Sequence, residues 1–196
     1  MDHVTDPLEA FARMWQHVKD TAPSGFEAST MALATANPRG VPAVRMVLLR
    51  GVDDRGFSFF TNYGSPKAEA LDASGRGALC FFWFWLGQQV RVEGTVARVS
   101  DEESDAYFAS RPRGSQIGAW ASLQSQPLAS REELEARYRE VEAQYEGGDV
   151  PRPPHWGGYR LSPERIEFWN EGEFRLHDRW LFTRTPQGWR RERLYP

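Results

Sequence analysis

Cysteine is nearly absent: Cys80 is alone in 196 residues, which excludes an intramolecular disulfide and any cysteine-based zinc site. Because it lies in an apolar run, it reads as a buried structural thiol. Lysine is almost as rare. Lys19 and Lys67 are the only lysines among 24 basic residues, leaving 22 arginines, a bias that also suits bidentate phosphate binding. No long apolar segment occurs. The apolar run Leu79–Leu86 is eight residues, against the roughly 20 that a membrane-spanning helix needs. The N-terminus, Met1-Asp2-His3, shows no basic region followed by an apolar stretch, so no secretory leader is expected and a cytoplasmic location is. There is no basic excess: the net charge of −3 argues against a general nucleic-acid binder. Gly-x-Ser-x-Gly and Gly-x-Gly-x-x-Gly are both missing, and His3, His17, His155 and His177 are too scattered to mark a metal site.

What is present is aromatic. Phe, Trp and Tyr make up 13% of the chain and eight residues are Trp, which excludes low-complexity disorder. One compact domain over 1–196 is expected, long enough to bury about 70% of its unfolded surface.

Asp6-Pro7 caps a helix to about Lys19, with Leu8, Phe11, Met14 and Trp15 on one face. Ala22-Pro-Ser-Gly25 ends it, so 1–27 reads as an N-terminal helix and connector. Strands follow at Thr30–Ala36, within Val41–Arg50, and at Phe57–Thr61, separated by turns at Asn37–Gly40 and Asp53–Gly56. Ser65-Pro66-Lys67 opens a second helix with Ser65 as N-cap. The run Ala78–Trp85 reads as a strand buried on both faces or lying in a subunit interface. Val90–Val99 alternates as a half-buried strand. Ser100–Glu103 and Ser130–Glu133 are capping boxes that open two more helices. After a Gly/Pro-rich connector, strands are expected at Gly158–Leu161, Arg165–Trp169, Trp180–Arg184 and Trp189–Leu194. About eight strands joined mostly by tight turns, with three or four helices, imply a mainly β (α+β) antiparallel barrel with peripheral helices.

Three segments carry candidate chemistry. Arg45 and Arg50 lie five apart on a strand and so point to opposite faces. Phe60–Lys67 joins a strand end to a helix start, where free backbone N–H groups suit phosphate. Tyr107-Phe-Ala-Ser-Arg111-Pro-Arg113-Gly-Ser115 gathers a phenol, two guanidiniums and a hydroxyl, a donor set suited to a phosphate monoester. Each also has a plain structural reading as exposed polar groups at strand and helix ends. Further on, Arg175, His177 and Arg179 alternate, and on an extended segment they share a face.

Arg45-Met-Val-Leu-Leu49, Ser110-Arg-Pro-Arg-Gly-Ser-Gln-Ile-Gly-Ala-Trp120, Gln124-Ser125, Trp156-Gly-Gly, Ile166-Glu-Phe-Trp169 and Arg175-Leu-His-Asp-Arg179 together resemble the pyridoxamine 5′-phosphate oxidase family. The resemblance runs from about residue 28 to 196. It implies an FMN-binding split β-barrel and a homodimer with FMN at the subunit interface, in which 158–196 supplies dimerisation and substrate strands. It implies FMN contacts at Arg45, Met46, Val47, Leu48, Leu49, Phe60, Thr61, Lys67, Gln89, Gln124, Ser125, Trp169 and Arg179. Substrate contacts are implied at Arg50, Tyr107, Arg111, Ser115, Arg175, Leu176 and His177, with Arg175 and His177 as the catalytic pair that sets the C4′ substituent. The implied reaction is oxidation of pyridoxamine or pyridoxine 5′-phosphate to pyridoxal 5′-phosphate with dioxygen, releasing hydrogen peroxide, and ammonia from the amine.

Three departures from the family pattern stand out. Arg50 occupies a position where the family commonly has Lys, which keeps the charge but changes the geometry. Pro66 replaces a basic residue before Lys67. The segment ahead of the first helix lacks the basic, Tyr-containing arm of longer members. Two other readings compete: a related FMN oxidase of a reduced ring such as a phenazine precursor, and a non-catalytic flavin- or B6-binding protein. No nucleic acid, membrane or metal partner is expected.

Overall fold

A computed structural model describes Met1 and residues 3–196; Asp2, part of the N-terminal segment read above, lies outside the described residues. Nine strands form one antiparallel sheet: β1 (Thr30–Ala36), β2 (Pro42–Leu48), β3 (Gly51–Asp53), β4 (Gly56–Asn62), β5 (Arg76–Trp83), β6 (Gln88–Arg98), β7 (Trp156–Asn170), β8 (Asp178–Thr185) and β9 (Gly188–Leu194). Five helices surround it: α1 (Pro7–Thr21), α2 (Pro66–Ser74), α3 (Asp101–Ala109), α4 (Arg113–Ala121) and α5 (Arg131–Gln144). None is long and apolar enough to cross a membrane, among the described residues.

The strand order is β2-β1-β5-β6-β7-β4-β3, and β8 and β9 branch from β7. The long β7 explains the branch. Residues 156–161 pair with β4, 165–170 pair with β8, and β6 runs along the other side of both. The two stretches expected at 158–161 and 165–169 are therefore one strand. Pro163 interrupts its ladder because it has no N–H to donate, and the register against β6 shifts at Glu93/Gly94. Gly94 is required there, since a Cβ would collide with the Ser162 carbonyl. The sheet thus curls and divides into an antiparallel half-barrel, in line with the mainly β split barrel that was expected.

The core lies on the concave face. Across β5, β6, β7 and β8 the register aligns Phe81, Val90, Phe168 and Trp180, and one pair further along Leu79, Val92, Ile166 and Phe182. All eight are buried. α1 closes this face. Asp6 caps it by accepting from the Leu8 N–H at 2.8 Å, and Phe11 stands edge-on to Phe57 at 4.8 Å between ring centroids. Removing the fully buried Phe11 ring would cost about 3–5 kcal/mol.

The convex face carries the alternate residues, and here the expected burial on both faces fails. Cys80 is only partly buried, and Phe82 and Phe84 are exposed. The apolar run ends as a strand at Trp83 and continues as a 3-10 turn over Phe84–Leu86. Val44 and Met46 on β2 add to this convex stripe, at 71% and 62% exposure. The stripe fits the alternative expectation, a subunit interface.

A smaller cluster of Phe108, Ile117, Val150 and Trp156 sits under α3, α4 and α5. The sequence reading missed α4. Its two glycines and its start directly after Pro112 hide the helix, which is held by this cluster instead of by its own propensity.

Candidate active site

The end of β4, the start of α2 and the α3–α4 junction meet around a cavity of about 360 Å³. Its walls include Met46, Val47, Leu48, Arg50, Phe60, Thr61, Lys67, Tyr107, Arg111, Gln124 and Trp156. A second lobe of about 260 Å³ shares Arg111, Gln124 and Trp156 and adds Asn62, Ser115 and Ser122. Three separated sequence segments are thus brought to one place.

Lys67 sits in the first turn of α2, where a cation opposes the helix dipole. Its ammonium turns back and donates to three neutral oxygens: Gln124 Oε1 at 2.6 Å, Ser65 Oγ at 3.0 Å and Thr61 Oγ1 at 3.2 Å. Burial, followed by the nearby Arg45 charge, pulls its pKa down to about 8. Ser65 occupies the N-cap position but does not cap with its side chain as expected. Its hydroxyl donates to the Asn62 carbonyl at 2.7 Å and receives Lys67 instead.

Arg45 donates to the Leu33 carbonyl and to Thr35 Oγ1, both at 2.9 Å, and burial lowers its pKa. Arg50 is not on the same strand. β2 ends at Leu48, and the Arg50 backbone N–H bonds to the Ser58 carbonyl, so strand parity does not relate the two arginines. Arg50 faces the cavity. Leu49 points into the core, and its backbone N–H bonds to the Ser29 carbonyl at 2.8 Å.

Arg111 is the outstanding feature. Its guanidinium lies 4.7 Å from the centre of the Trp156 ring, and its Nη1 is buried with no hydrogen-bond partner among the described residues. Burial, with some help from Arg50, lowers its pKa against the opposing influence of Tyr107. Tyr107 is stacked on Phe60 at 4.0 Å. Two positive groups and a phenol thus face one cavity with a buried donor unsatisfied, an arrangement that favours a bound anion. Arg113, grouped with these donors on spacing alone, is not part of the cavity. It donates to the Gly148 and Tyr145 carbonyls at 2.8 and 2.6 Å.

Gln89, Trp169 and Arg179 lie elsewhere on this chain. They form a row across β6, β7 and β8 on the convex face, because Gln89 pairs with Trp169 and Trp169 with Arg179. Arg179 Nε donates to the buried Glu167 at 2.8 Å, which raises the arginine pKa. His177 packs on Trp169 at 4.5 Å, and its Nδ1 accepts the Gly172 N–H at 3.2 Å. Leu176, His177 and Asp178 line a third cavity of about 550 Å³ with the C-terminal residues Arg193–Pro196.

The expected shared face of Arg175, His177 and Arg179 does not form. Glu173–Arg175 is a 3-10 turn in which Phe174 and Arg175 have φ of 55° and 65°, and β8 begins only at Asp178. Among the described residues Ser125 is the remaining non-glycine residue with positive φ, at 70°, so two of the three such residues are expected site residues. Such strain persists where surrounding structure enforces it and concentrates at functional positions.

Sequence reasoning gave no role to Trp156 or Asn62. The Trp156-Gly-Gly motif was the available signal. A Cβ at Gly157 would collide with the Tyr63 phenol and one at Gly158 would crowd Phe60, so the motif brings Trp156 beneath Arg111.

Comparison with known proteins places the chain in a family. The sequence profile described as pyridoxamine 5′-phosphate oxidase matches residues 17–145, and that of the pyridoxine 5′-phosphate oxidase C-terminal dimerisation region matches 156–196. A Rubrobacter xylanophilus protein named pyridoxine/pyridoxamine 5′-phosphate oxidase is 57% identical over 97% of this chain and 87% of its own length. A Myxococcus xanthus protein of the same name is 54% identical over 97% of this chain and 92% of its own. Among solved structures, PhzG from Burkholderia lata, in complex with tetrahydrophenazine-1-carboxylic acid, superposes with a TM-score of 0.93 at 31% identity, covering 100% of this chain and 95% of that one.

Proposed function

The chain belongs to the pyridoxamine 5′-phosphate oxidase family, and from that premise we infer that it oxidises pyridoxamine and pyridoxine 5′-phosphates to pyridoxal 5′-phosphate. Dioxygen is the electron acceptor and hydrogen peroxide the co-product, and the amine also releases ammonia. The observation that carries the assignment is the buried, unpartnered Nη1 of Arg111 in a cavity shared with Arg50 and Tyr107. A phosphate monoester supplies the missing acceptor and two negative charges. Ser115, in the adjoining lobe, adds a hydroxyl donor.

The cofactor is FMN. The donor set fits its phosphate: Lys67 has only neutral oxygens for partners and sits at a helix start beside Arg45. Arg45, Thr61, Lys67, Gln124 and Ser125 hold the phosphate end. The backbone of Met46–Leu49 and the Phe60 ring border the rest. When bound, FMN supplies hydride acceptance and the reduction of dioxygen.

The chain's own residues supply position and charge. Arg111, Arg50, Tyr107 and Ser115 anchor the substrate phosphate. Arg175 and His177 orient the C4′ substituent, with Leu176 beside them. Because His177 Nδ1 is occupied as an acceptor, a neutral ring carries its proton on Nε2, the atom free to face a ligand.

The family's C-terminal dimerisation region makes a homodimer the working unit. Residues 1–196 form a single domain, in which 1–27 provide the covering helix and 158–196 the dimerisation strands. Gln89, Trp169, Arg179 and the 175–177 turn lie outside the Lys67–Arg111 cavity of their own chain, so a second copy brings them to it and the cofactor lies at the interface.

An aerobic assay of FMN-loaded protein with pyridoxine 5′-phosphate tests the reading. Pyridoxal 5′-phosphate and peroxide are expected in equal amounts. Absence of turnover in FMN-loaded protein, together with oxidation of a reduced phenazine carboxylate, would overturn it in favour of the activity suggested by the PhzG likeness.

A further inference from the structure

We propose that Arg113 and Arg137 are positioning residues: a two-arginine clasp between α4 and α5 that sets one end of α4 for the substrate phosphate and the other for the cofactor. The inference rests on the assignment of Arg111 and Ser115 to the phosphate and of Gln124 to FMN.

The last carbonyls of a helix lack intrahelical partners and attract cations. Here each helix satisfies the other's end. Arg113, the first residue of α4, reaches the end of α5, donating Nη1 to the Gly148 carbonyl at 2.8 Å and Nη2 to the Tyr145 carbonyl at 2.6 Å. Arg137, within α5, donates Nε to the carbonyl of Ala121, the last residue of α4, at 2.9 Å. The helices approach closely at Gly114, where a Cβ would lie 3.2 Å from the Tyr138 hydroxyl. α5 needs this fastening because it has no fully buried residue of its own, only half-buried Tyr138 and Val141 against the small cluster.

Both clasped ends lead directly into the site. Arg111 and Arg113 flank Pro112, whose ring fixes φ at −53°. From this rigid link one guanidinium enters the cavity and the other grips α5, so holding Arg113 fixes the direction from which Arg111 departs. Ser115 follows within the first turn. At the other end, Ala121 leads to Ser122, whose carbonyl accepts from Asn62 Nδ2 at 3.4 Å, and then to Gln124, the acceptor for Lys67. An arginine grouped on spacing with the phosphate ligands therefore acts one step behind them.

The two ends predict different defects. In full-length protein, R113A should raise the KM for pyridoxine 5′-phosphate and the Kd for pyridoxal 5′-phosphate about tenfold, as expected for loss of roughly one charge-assisted hydrogen bond. Its FMN affinity, followed by flavin fluorescence, should stay within about twofold of wild type on the same scale. R137A should show the reverse, an FMN Kd raised about tenfold with KM little changed at saturating FMN. R113K and R137K, which keep the charge, should recover part of each loss and serve if an alanine variant does not fold. Equal shifts of both constants in both variants, or no shift in either, would overturn the clasp. If wild type bound FMN and pyridoxal 5′-phosphate but oxidised nothing, the functional reading would fail while the two binding constants still decided the clasp.

Discussion

Lys67 makes FMN binding sensitive to pH in a direction and window that follow from its surroundings. Its folded-state pKa lies near 8 because burial and Arg45 disfavour the ammonium form. A bound phosphate reverses that preference and draws a proton onto any neutral Lys67. Binding is then weakened by the factor 1 + 10^(pH − 8), roughly 1.1 at pH 7 and about 11 at pH 9. Below pH 7 the phosphate group, with a second pKa near 6, introduces its own opposite trend, so the window from about 7 to 9 isolates the lysine. The same depression gives a stability corollary with the opposite sense. Between about 8 and 10.5 the unfolded chain holds more protons than the folded one, so anion-free protein gains stability from this group as pH rises. The assay is fluorescence titration of apoprotein with FMN across that window. Riboflavin, which has no phosphate, should show no such dependence, and K67M should bind FMN weakly with a flat profile. A flat wild-type profile between pH 7 and 9, or an equal slope in K67M, would refute the reasoning.

Inorganic phosphate at a hundred times its Kd should stabilise wild type by about 2.7 kcal/mol, or roughly 5–10 °C in Tm, by giving Arg111 Nη1 an acceptor. R111M should lose most of that shift in a thermal melt, and an undiminished shift would place the anion elsewhere. V44D/M46E puts two carboxylates on the convex stripe and should convert dimer to monomer in sedimentation, with FMN retention falling in parallel; a persisting dimer would move the interface off β2. R175A should reduce turnover far more than FMN content measured on the purified protein, and equal loss of both would remove Arg175 from the substrate side.

Much of the local structure was legible in the sequence because periodicity and caps are written over a few neighbouring residues. β1 spans Thr30–Ala36 as expected, Asp6 caps α1, and Ser100 and Ser130 accept from the Glu103 and Glu133 N–H groups. Even there a non-local partner intervened: the Glu103 carboxylate, expected to close its capping box, pairs with Arg160 from β7. The family was legible in the motifs Arg45–Leu49, Ser110–Trp120 and Arg175–Arg179.

What the tertiary structure alone decided is direction and company. Arg111 and Arg113 have the same side chain two positions apart, yet one faces a cavity and the other caps a helix, because α5 lies on only one side of Pro112. The two short strands near 158–169 became one because β6 pairs with β7 from Tyr159 to Asn170 while β4 and β8 divide its other edge. Lys67 is an ordinary lysine in the sequence; only the folded chain surrounds it with Thr61, Ser65 and Gln124 and sets Arg45 near enough to lower its pKa. Spacing along a chain constrains neighbours within a turn or a strand. Partners 57 or 63 residues away, as Gln124 is from Lys67 and Thr61, are set by packing of the whole sheet.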